Sequence, residues 1–100
     1  MQNREALIQK ALSKWGGKRQ LIVLMEECGE LVQAASKILR ETPEGITDIE
    51  ASTNFIEELI DVELMVDQFR AMIPPVVLKD MESRKLTKLS QTLESIQGTN

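Results

Sequence analysis

The sequence predicts an all-α fold, and three observations support this prediction. Tyr is absent, and only Trp15, Phe55 and Phe69 are aromatic. Leu, Met, Ala, Glu and Lys, which favour helices, outnumber the β-branched and aromatic residues that favour strands. Gly and Pro residues at positions 16–17, 43–45 and 74–75 divide the chain into four helix-forming stretches.

The first two stretches are predicted to form helices over about residues 3–14 and 19–41. Asn3 is a suitable N-cap for the first helix, and Gly16-Gly17 ends it. The second stretch is the clearest amphipathic helix, because its apolar residues recur at i, i+3, i+4 and i+7. Its apolar stripe consists of Leu21, Leu24, Met25, Cys28, Leu31, Val32, Ala35, Ile38 and Leu39.

The third helix is predicted over about residues 54–73, after a polar stretch from Thr42 to Ser52 that is typical of a loop. Asn54 and Glu57 resemble a capping box at its start, and Pro74-Pro75 ends it. Two apolar stripes run along it, one formed by Phe55, Leu59, Val62, Val66, Phe69 and Ile73, the other by Ile56, Ile60 and Leu64. A helix that is apolar on two sides is expected to be buried on two sides.

The fourth helix is predicted over about residues 76–96. Its apolar residues form a narrow seam of Leu86, Leu89, Leu93 and Ile96. We expect one domain over residues 1–100, with a four-helix bundle as its core. A core of this size is only moderately buried, so we expect a homodimer or homotetramer to complete it.

The charge distribution restricts the possible partners. The net charge is −4, and residues 26–67 contain twelve of the sixteen acids but only Lys37 and Arg40 among the bases. An acidic centre repels a nucleic-acid backbone, so nucleic acid is not an expected partner. No stretch has the length of a membrane span or the flanks of a signal peptide. With a single cysteine, Cys28, the chain can form no internal disulfide, and we expect a cytoplasmic protein.

The most informative feature is a pair of acidic clusters, one on each long helix. Glu27 and Glu30 lie about 60° apart on one face of the second helix, and Glu58 and Asp61 do likewise on the third. If the two helices pack antiparallel, these four carboxylates meet in a small volume. Two unit charges about 5 Å apart repel by roughly 3 kcal/mol at an effective dielectric near 20, so such a cluster must bind cations or protons.

The donor atoms indicate which cation the cluster would bind. Carboxylate oxygens suit Mg²⁺ or Mn²⁺, and the absence of His argues against zinc, copper and the Glu-x-x-His di-iron site. Acids at this spacing on a helix usually form a solvated face. Here, however, Glu26, Glu27, Glu57 and Glu58 have no basic residue four positions later, so ion pairing within each helix does not explain them.

These residues resemble the signature of the MazG-like, all-α nucleoside triphosphate pyrophosphohydrolase superfamily. That signature is Glu-x-x-Glu on one long helix and Glu-x-x-Asp on the next, and Glu27, Glu30, Glu58 and Asp61 fit it. The similarity is closest to the short, single-domain, phage-type members. It covers about three quarters of the chain, from Trp15-Gly16 through Lys37 and Arg40, then from Asn54 to Gln68, with echoes at Lys85-Leu86 and Lys88-Leu89.

The resemblance implies that Glu27, Glu30, Glu58 and Asp61 bind Mg²⁺, with Mn²⁺ as a substitute. It implies hydrolysis of a nucleoside triphosphate to the monophosphate and pyrophosphate. Glu26 is the candidate catalytic residue that orients or deprotonates the attacking water; the alternative is an exposed helix acid.

Two candidate substrate-binding residues also have alternative interpretations. Lys37, seven residues after Glu30, could reach a phosphate oxygen or be a solvated lysine. Trp15 could stack on a base or close the core. Asn54 is better explained as a helix cap than as a substrate ligand, and Cys28 as a small core residue than as a nucleophile. Gly29 inside a helix indicates a close approach by another group.

The sequence also leaves the substrate and the reaction open. Some superfamily members carry an amide or another polar base-reading residue at the position of Met65. Base preference is therefore unassigned. An alternative enzyme is a phosphoribosyl-ATP pyrophosphohydrolase, and an alternative from another class is a non-catalytic helical dimerisation or regulatory module.

Overall fold

A computed structural model describes residues 3–41 and 52–98, and within these ranges the chain forms four α-helices and no strand. The helices are α1 (Arg4–Trp15), α2 (Gly17–Glu41), α3 (Thr53–Arg70) and α4 (Pro75–Gly98). The all-α prediction is therefore confirmed for the described residues. The predicted loop lies outside them, except for Ser52.

Both ends of α1 follow the predicted capping pattern. The Asn3 side chain accepts a hydrogen bond from the backbone N–H of Ala6 at 3.1 Å, which makes Asn3 the N-cap of α1. Gly16 ends α1 with a φ of 80°, and its N–H donates to the carbonyl of Leu12 at 2.8 Å. This positive φ strains any residue with a Cβ, so glycine is required at the turn.

The start of α3 differs from the prediction. The helix begins at Thr53, and the carbonyl of Ser52 accepts from the N–H of Ile56 at 3.0 Å. Asn54 is the second residue of the helix and lies too late to be its N-cap, so the capping-box prediction for Asn54 and Glu57 is wrong.

The end of α3 also differs, because the helix stops at Arg70, three residues before the predicted end. Residues 71–74 form a turn in which the N–H of Ile73 donates to the carbonyl of Arg70 at 3.2 Å. Pro74 disfavours a helical conformation at Ile73, which accounts for the early end. Pro75 is the first residue of α4. This position suits proline because the first N–H groups of a helix have no hydrogen-bond acceptor within the helix, so the missing N–H loses no bond.

The chain divides into two compact units, Met1–Phe69 and Arg70–Asn100. The first contains α1, α2 and nearly all of α3. Its buried apolar side chains among the described residues are Ile8, Ala34, Ile38 and Met65. An ion pair between Arg4 and Asp67 connects the start of α1 to the end of α3. The core is small, as expected for so short a chain.

A buried pair of amides joins α2 to α3. The side-chain nitrogen of Gln20 donates to the side-chain oxygen of Gln68 at 2.7 Å, and the two residues are only 3% and 6% exposed. The Gln68 nitrogen in turn lies 3.5 Å from the sulfur of Met65. Because both amides are buried and partnered, the pair fixes the register of the two helices.

The predicted apolar stripe of α2 does not coincide with its buried face. The buried residues of α2 are Gln20, Ala34 and Ile38. Five predicted core residues are instead exposed, namely Leu21, Met25, Cys28, Val32 and Leu39. The prediction grouped two adjacent faces of α2 into one stripe, and the described residues cover only one of them.

The second unit consists of α4 and the turn before it. Its predicted seam of Leu86, Leu89, Leu93 and Ile96 is present on the helix, and each of the four side chains is more than half exposed. Arg84 pairs with Asp80 one turn earlier at 3.0 Å. No described helix combines the length and apolar character that a bilayer-spanning segment needs.

The Gln20–Gln68 pair yields a stability prediction. Gln20→Ala leaves the buried Gln68 amide without its partner, which is expected to lower the free energy of unfolding by about 1–3 kcal/mol. Thermal and urea unfolding followed by circular dichroism would measure the change. Gln9→Ala, at an exposed position on α1, serves as the control, and equal stability of the two variants would contradict a structural role for the pair.

Candidate functional site

The acidic residues meet because α2 and α3 run antiparallel. At one end of the pairing Gln20 bonds to Gln68. Further along α2, Glu27 lies beside Glu58 and Asp61. Moving toward the C-terminus of α2 thus leads to progressively earlier positions in α3, and the two acidic clusters lie at the same level.

Three of the four predicted metal ligands form a tight group. One carboxylate oxygen from each of Glu27, Glu58 and Asp61 lies within 4.8 Å of the other two. Glu27 and Glu58 are half-buried and Asp61 is exposed. The fourth predicted ligand, Glu30, is not in this group but lines a cleft together with Glu58. The structure therefore brings three of the four predicted residues together and places Glu30 near Glu58.

Crowding changes the protonation of Glu58. Loss of hydration raises the pKa of its carboxyl to about 7, and the hydrogen bond to Glu30 and repulsion by Glu30, Glu27 and Asp61 act in the same direction. A carboxyl with this pKa retains its proton at a pH where isolated glutamates are ionised. Retaining this proton removes one negative charge and so reduces the electrostatic repulsion among the neighbouring carboxylates when no cation is bound.

The pKa of the Glu27 carboxyl is also raised. Loss of hydration is the largest cause that raises its pKa, followed by repulsion from Glu30 and Asp61, while a hydrogen bond with Glu58 opposes the rise. One oxygen of Glu27 and one of Glu58 are shielded from solvent and have no hydrogen-bond partner within the described chain. Shielded carboxylate oxygens without a donor are what a bound cation would satisfy.

A cleft of about 380 Å³ extends from the cluster toward the end of α2. Glu30 and Glu58 line its acidic side, and Lys37, the predicted phosphate contact, lines it as well. Arg40 and Asn54 also face this cleft, although the sequence did not assign either to a site. The helical spacing from Glu30 through Lys37 to Arg40 was the signal that could have identified Arg40.

A second cleft, of about 540 Å³, lies along the first turns of α2 and has Glu26 on its wall. Glu26, the predicted catalytic residue, is exposed, and none of the four predicted metal ligands lines this cleft with it. Trp15 lines the same cleft and is 43% exposed, so the interpretation of Trp15 as a core residue is wrong. The guanidinium of Arg19 lies 5.4 Å from the centre of the indole ring, and the Lys14 nitrogen lies 5.8 Å from it.

Two other expectations are not met by the structure. Cys28 is exposed, so its interpretation as a small core residue is wrong. A Cβ added at Gly29 would meet nothing within 4 Å, so no neighbouring group of the described chain explains this glycine. Both residues lie outside the buried face of α2.

The donor set fits a hard divalent cation. The oxygens of Glu27, Glu58 and Asp61 come from two helices and lie within 4.8 Å of one another, so that small side-chain movements could bring them onto one ion. Mg²⁺ and Mn²⁺ prefer oxygen ligands of this kind, and Mg²⁺ is commonly held by a few carboxylates together with phosphate oxygens. These carboxylates, with Glu30 beside them, could therefore hold a metal that also binds a phosphate ester.

Comparisons with protein-family models, with curated proteins and with solved structures find no significant match. The interpretation of the site thus depends on its residues and their geometry.

The raised pKa of Glu58 predicts how stability depends on pH. An acid with a higher pKa in the folded than in the unfolded state favours folding at low pH, and this contribution is lost as the pH rises through about 7. In EDTA, the melting temperature should therefore fall between pH 5 and pH 8. Mg²⁺ should restore it most strongly at pH 8.

Glu58→Gln tests the cause of this pH dependence. The variant should melt a few degrees above the wild type at pH 8 in EDTA and respond less to Mg²⁺, because the repelled charge has been removed. Glu63→Gln removes an exposed acid of the same helix outside the cluster and is the control. Equal melting of both variants and wild type at pH 8 would contradict the proposed repulsion.

Proposed function

We propose that this chain is a Mg²⁺-dependent nucleoside triphosphate pyrophosphohydrolase. The observation that carries the proposal is the group of carboxylates from two helices, in which shielded oxygens of Glu27 and Glu58 lack a hydrogen-bond donor. Such a group is stabilised by a bound cation or by protons, and a metal held only by acidic side chains typically keeps positions for phosphate oxygens. A phosphate-bearing substrate is therefore the best-supported ligand.

The proposed reaction is hydrolysis at the α-phosphorus. The oxygen of a water molecule bonds to this phosphorus, and the bond from it to the bridging oxygen breaks. The bridging oxygen leaves with the pyrophosphate and takes the electron pair of that bond, and one proton of the water passes to a base. When bound, Mg²⁺ supplies charge neutralisation for the phosphates.

Each candidate residue has a proposed role in this reaction. Glu27, Glu30, Glu58 and Asp61 would hold the metal. Glu26 lies next to them in the chain and is exposed, so it is available to accept the proton or to orient the water. Lys37 would contact a phosphate, and the exposed indole of Trp15 could stack on a base.

The two acidic sequence motifs and their antiparallel placement support assignment to the MazG-like superfamily, in the form of its short single-domain members. Hydrolysis of phosphoribosyl-ATP is the alternative within the same chemistry, since it breaks the same type of bond. A non-catalytic helical module is the alternative outside it. Metal binding and turnover distinguish these three possibilities.

We further propose that the protein is a homo-oligomer in which α2 packs against a second copy. Met25, Val32 and Leu39 are 70%, 68% and 82% exposed and recur every seven residues along α2. Leu21, Cys28 and Ala35 each lie four residues before one of these three. The apolar positions from 21 to 39 are therefore spaced alternately four and three residues apart over about 27 Å. This alternation is the pattern by which helices pair in coiled coils.

The enzyme proposal predicts metal-dependent release of pyrophosphate. Purified protein should convert one or more ribo- or deoxyribonucleoside triphosphates to monophosphates with Mg²⁺ or Mn²⁺, and EDTA should stop the reaction. Glu30→Gln or Asp61→Asn should lower the rate at least about 100-fold, because losing a few kcal/mol of phosphate charge neutralisation costs a factor of ten per ~1.4 kcal/mol.

Chromatographic separation of the nucleotide products would measure this reaction. Glu5→Gln, on α1, is the control for loss of one negative charge. Full activity of Glu30→Gln and Asp61→Asn would refute the site assignment. Failure of the wild type on all triphosphates would direct the assay to phosphoribosyl-ATP, and failure there would favour the non-catalytic module.

The oligomer proposal predicts that a charge on the exposed seam dissociates the protein. Val32→Glu should weaken self-association at least tenfold, because the carboxylate would be buried without a partner. Sedimentation equilibrium would measure the association constant, with Gln9→Glu on α1 as the control. A wild type that is monomeric at all concentrations would contradict the proposal.

A further inference from the structure

The cleft at the end of α2 combines two opposite kinds of charge. Glu30 and Glu58 line it, and Lys37 and Arg40 line it further along α2. Its volume of about 380 Å³ lies within the range of small-molecule binding sites. A ligand that fits such a surface carries a cation toward the acids and an anion toward the bases.

The two bases are placed in sequence along the same face of α2. Lys37 and Arg40 follow Glu30 by seven and ten residues, so their Cα atoms lie about 10 Å and 15 Å further along the helix axis. Their long side chains can shorten these distances by reaching back toward the carboxylates. The cationic groups therefore lie beyond the metal site, within reach of a second and a third phosphate.

Within the described parts of the chain, neither base forms an ion pair with the neighbouring acids, since the ion pairs there involve Arg4, Arg70 and Arg84. The Arg40 guanidinium donates to the hydroxyl of Ser36 at 2.9 Å, which orients it and leaves further donors for an anion. Among the described residues, no acid neutralises the two bases of the cleft, so both are available to an external anion.

The start of α3 contributes to the same cleft. Asn54, the second residue of α3, lines it and has two amide donors. The first turn of an α-helix also carries a partial positive charge from its backbone N–H groups. Anion-binding groups therefore come from both helices.

We propose that this cleft holds the pyrophosphate portion of the substrate, with Lys37 and Arg40 as its cationic ligands. The inference rests on the proposed function and adds the orientation of the substrate along α2. The terminal phosphates would lie toward the end of α2, and the nucleoside would lie on the side of the carboxylates away from Arg40. Free pyrophosphate would then occupy the same cleft and inhibit the enzyme as a product.

Calorimetric titration of inorganic pyrophosphate into the full chain with Mg²⁺ tests the proposal directly. Lys37→Ala and Arg40→Ala should each weaken pyrophosphate binding about tenfold to one hundredfold, as expected for losing a charge-assisted hydrogen bond. Mg²⁺ binding without pyrophosphate should be unchanged in both variants. Lys10→Ala, an exposed lysine of α1, is the matched control.

The Arg40→Lys variant distinguishes the contribution of the planar guanidinium group to pyrophosphate affinity from that of its positive charge. If the planar guanidinium binds two phosphate oxygens at once, lysine should restore only part of the affinity lost in Arg40→Ala. In the kinetic assay, the inhibition constant for pyrophosphate should rise in Lys37→Ala and Arg40→Ala, and the KM for the triphosphate should rise with it.

The outcomes distinguish this inference from the proposed function. Triphosphate hydrolysis together with unchanged pyrophosphate affinity in Lys37→Ala and Arg40→Ala would overturn the inference alone. No pyrophosphate binding by the wild type would also overturn it. Pyrophosphate binding that depends on Lys37 and Arg40, in a protein that hydrolyses no triphosphate, would support the cleft and overturn the proposed function.

Discussion

Electrostatic repulsion among the carboxylates of α2 and α3 is the constraint on which the rest of the site depends. Packing forces Glu27, Glu58 and Asp61 to within 4.8 Å of one another by their closest oxygens. Without a cation, the protein holds a proton on Glu58 up to a pH of about 7. Antiparallel pairing must therefore be stabilised by something other than the acids, and the buried amides of Gln20 and Gln68 meet this need at the far end of the pairing.

Placement of the bases follows from the same constraint. If Lys37 and Arg40 were paired with the acidic cluster, they would neutralise it and remove its affinity for a cation. They lie about two and three turns beyond Glu30 along α2, and among the described residues each remains available to an anion. The proposed substrate, which combines a divalent metal with several phosphates, would satisfy both sets of charges at once.

The small core connects the site to self-association. Few apolar side chains of the described chain are buried, whereas α2 exposes Met25, Val32 and Leu39 on one face. The proposed metal ligands need a rigid helix to hold them in position. A helix with a large exposed apolar face has few packing contacts to keep it rigid. Packing of this seam against a second copy would supply the missing support while leaving the acidic face, which is covered by α3, unchanged.

The sequence by itself determined the four helices, the cap at Asn3, the glycine turn at Gly16 and the identity of the acidic cluster. The helices, the cap and the turn are local features, since they depend on propensity and on spacing along one helix, whereas the cluster was inferred from two matched acidic spacings on different helices. Only the tertiary structure decided which apolar face of α2 is buried, that Trp15 and Cys28 are exposed, and that Arg40 and Asn54 share a cleft with Glu30 and Glu58. Periodicity cannot distinguish two adjacent apolar faces, nor can it bring together side chains from separate helices, because both depend on how the helices pack.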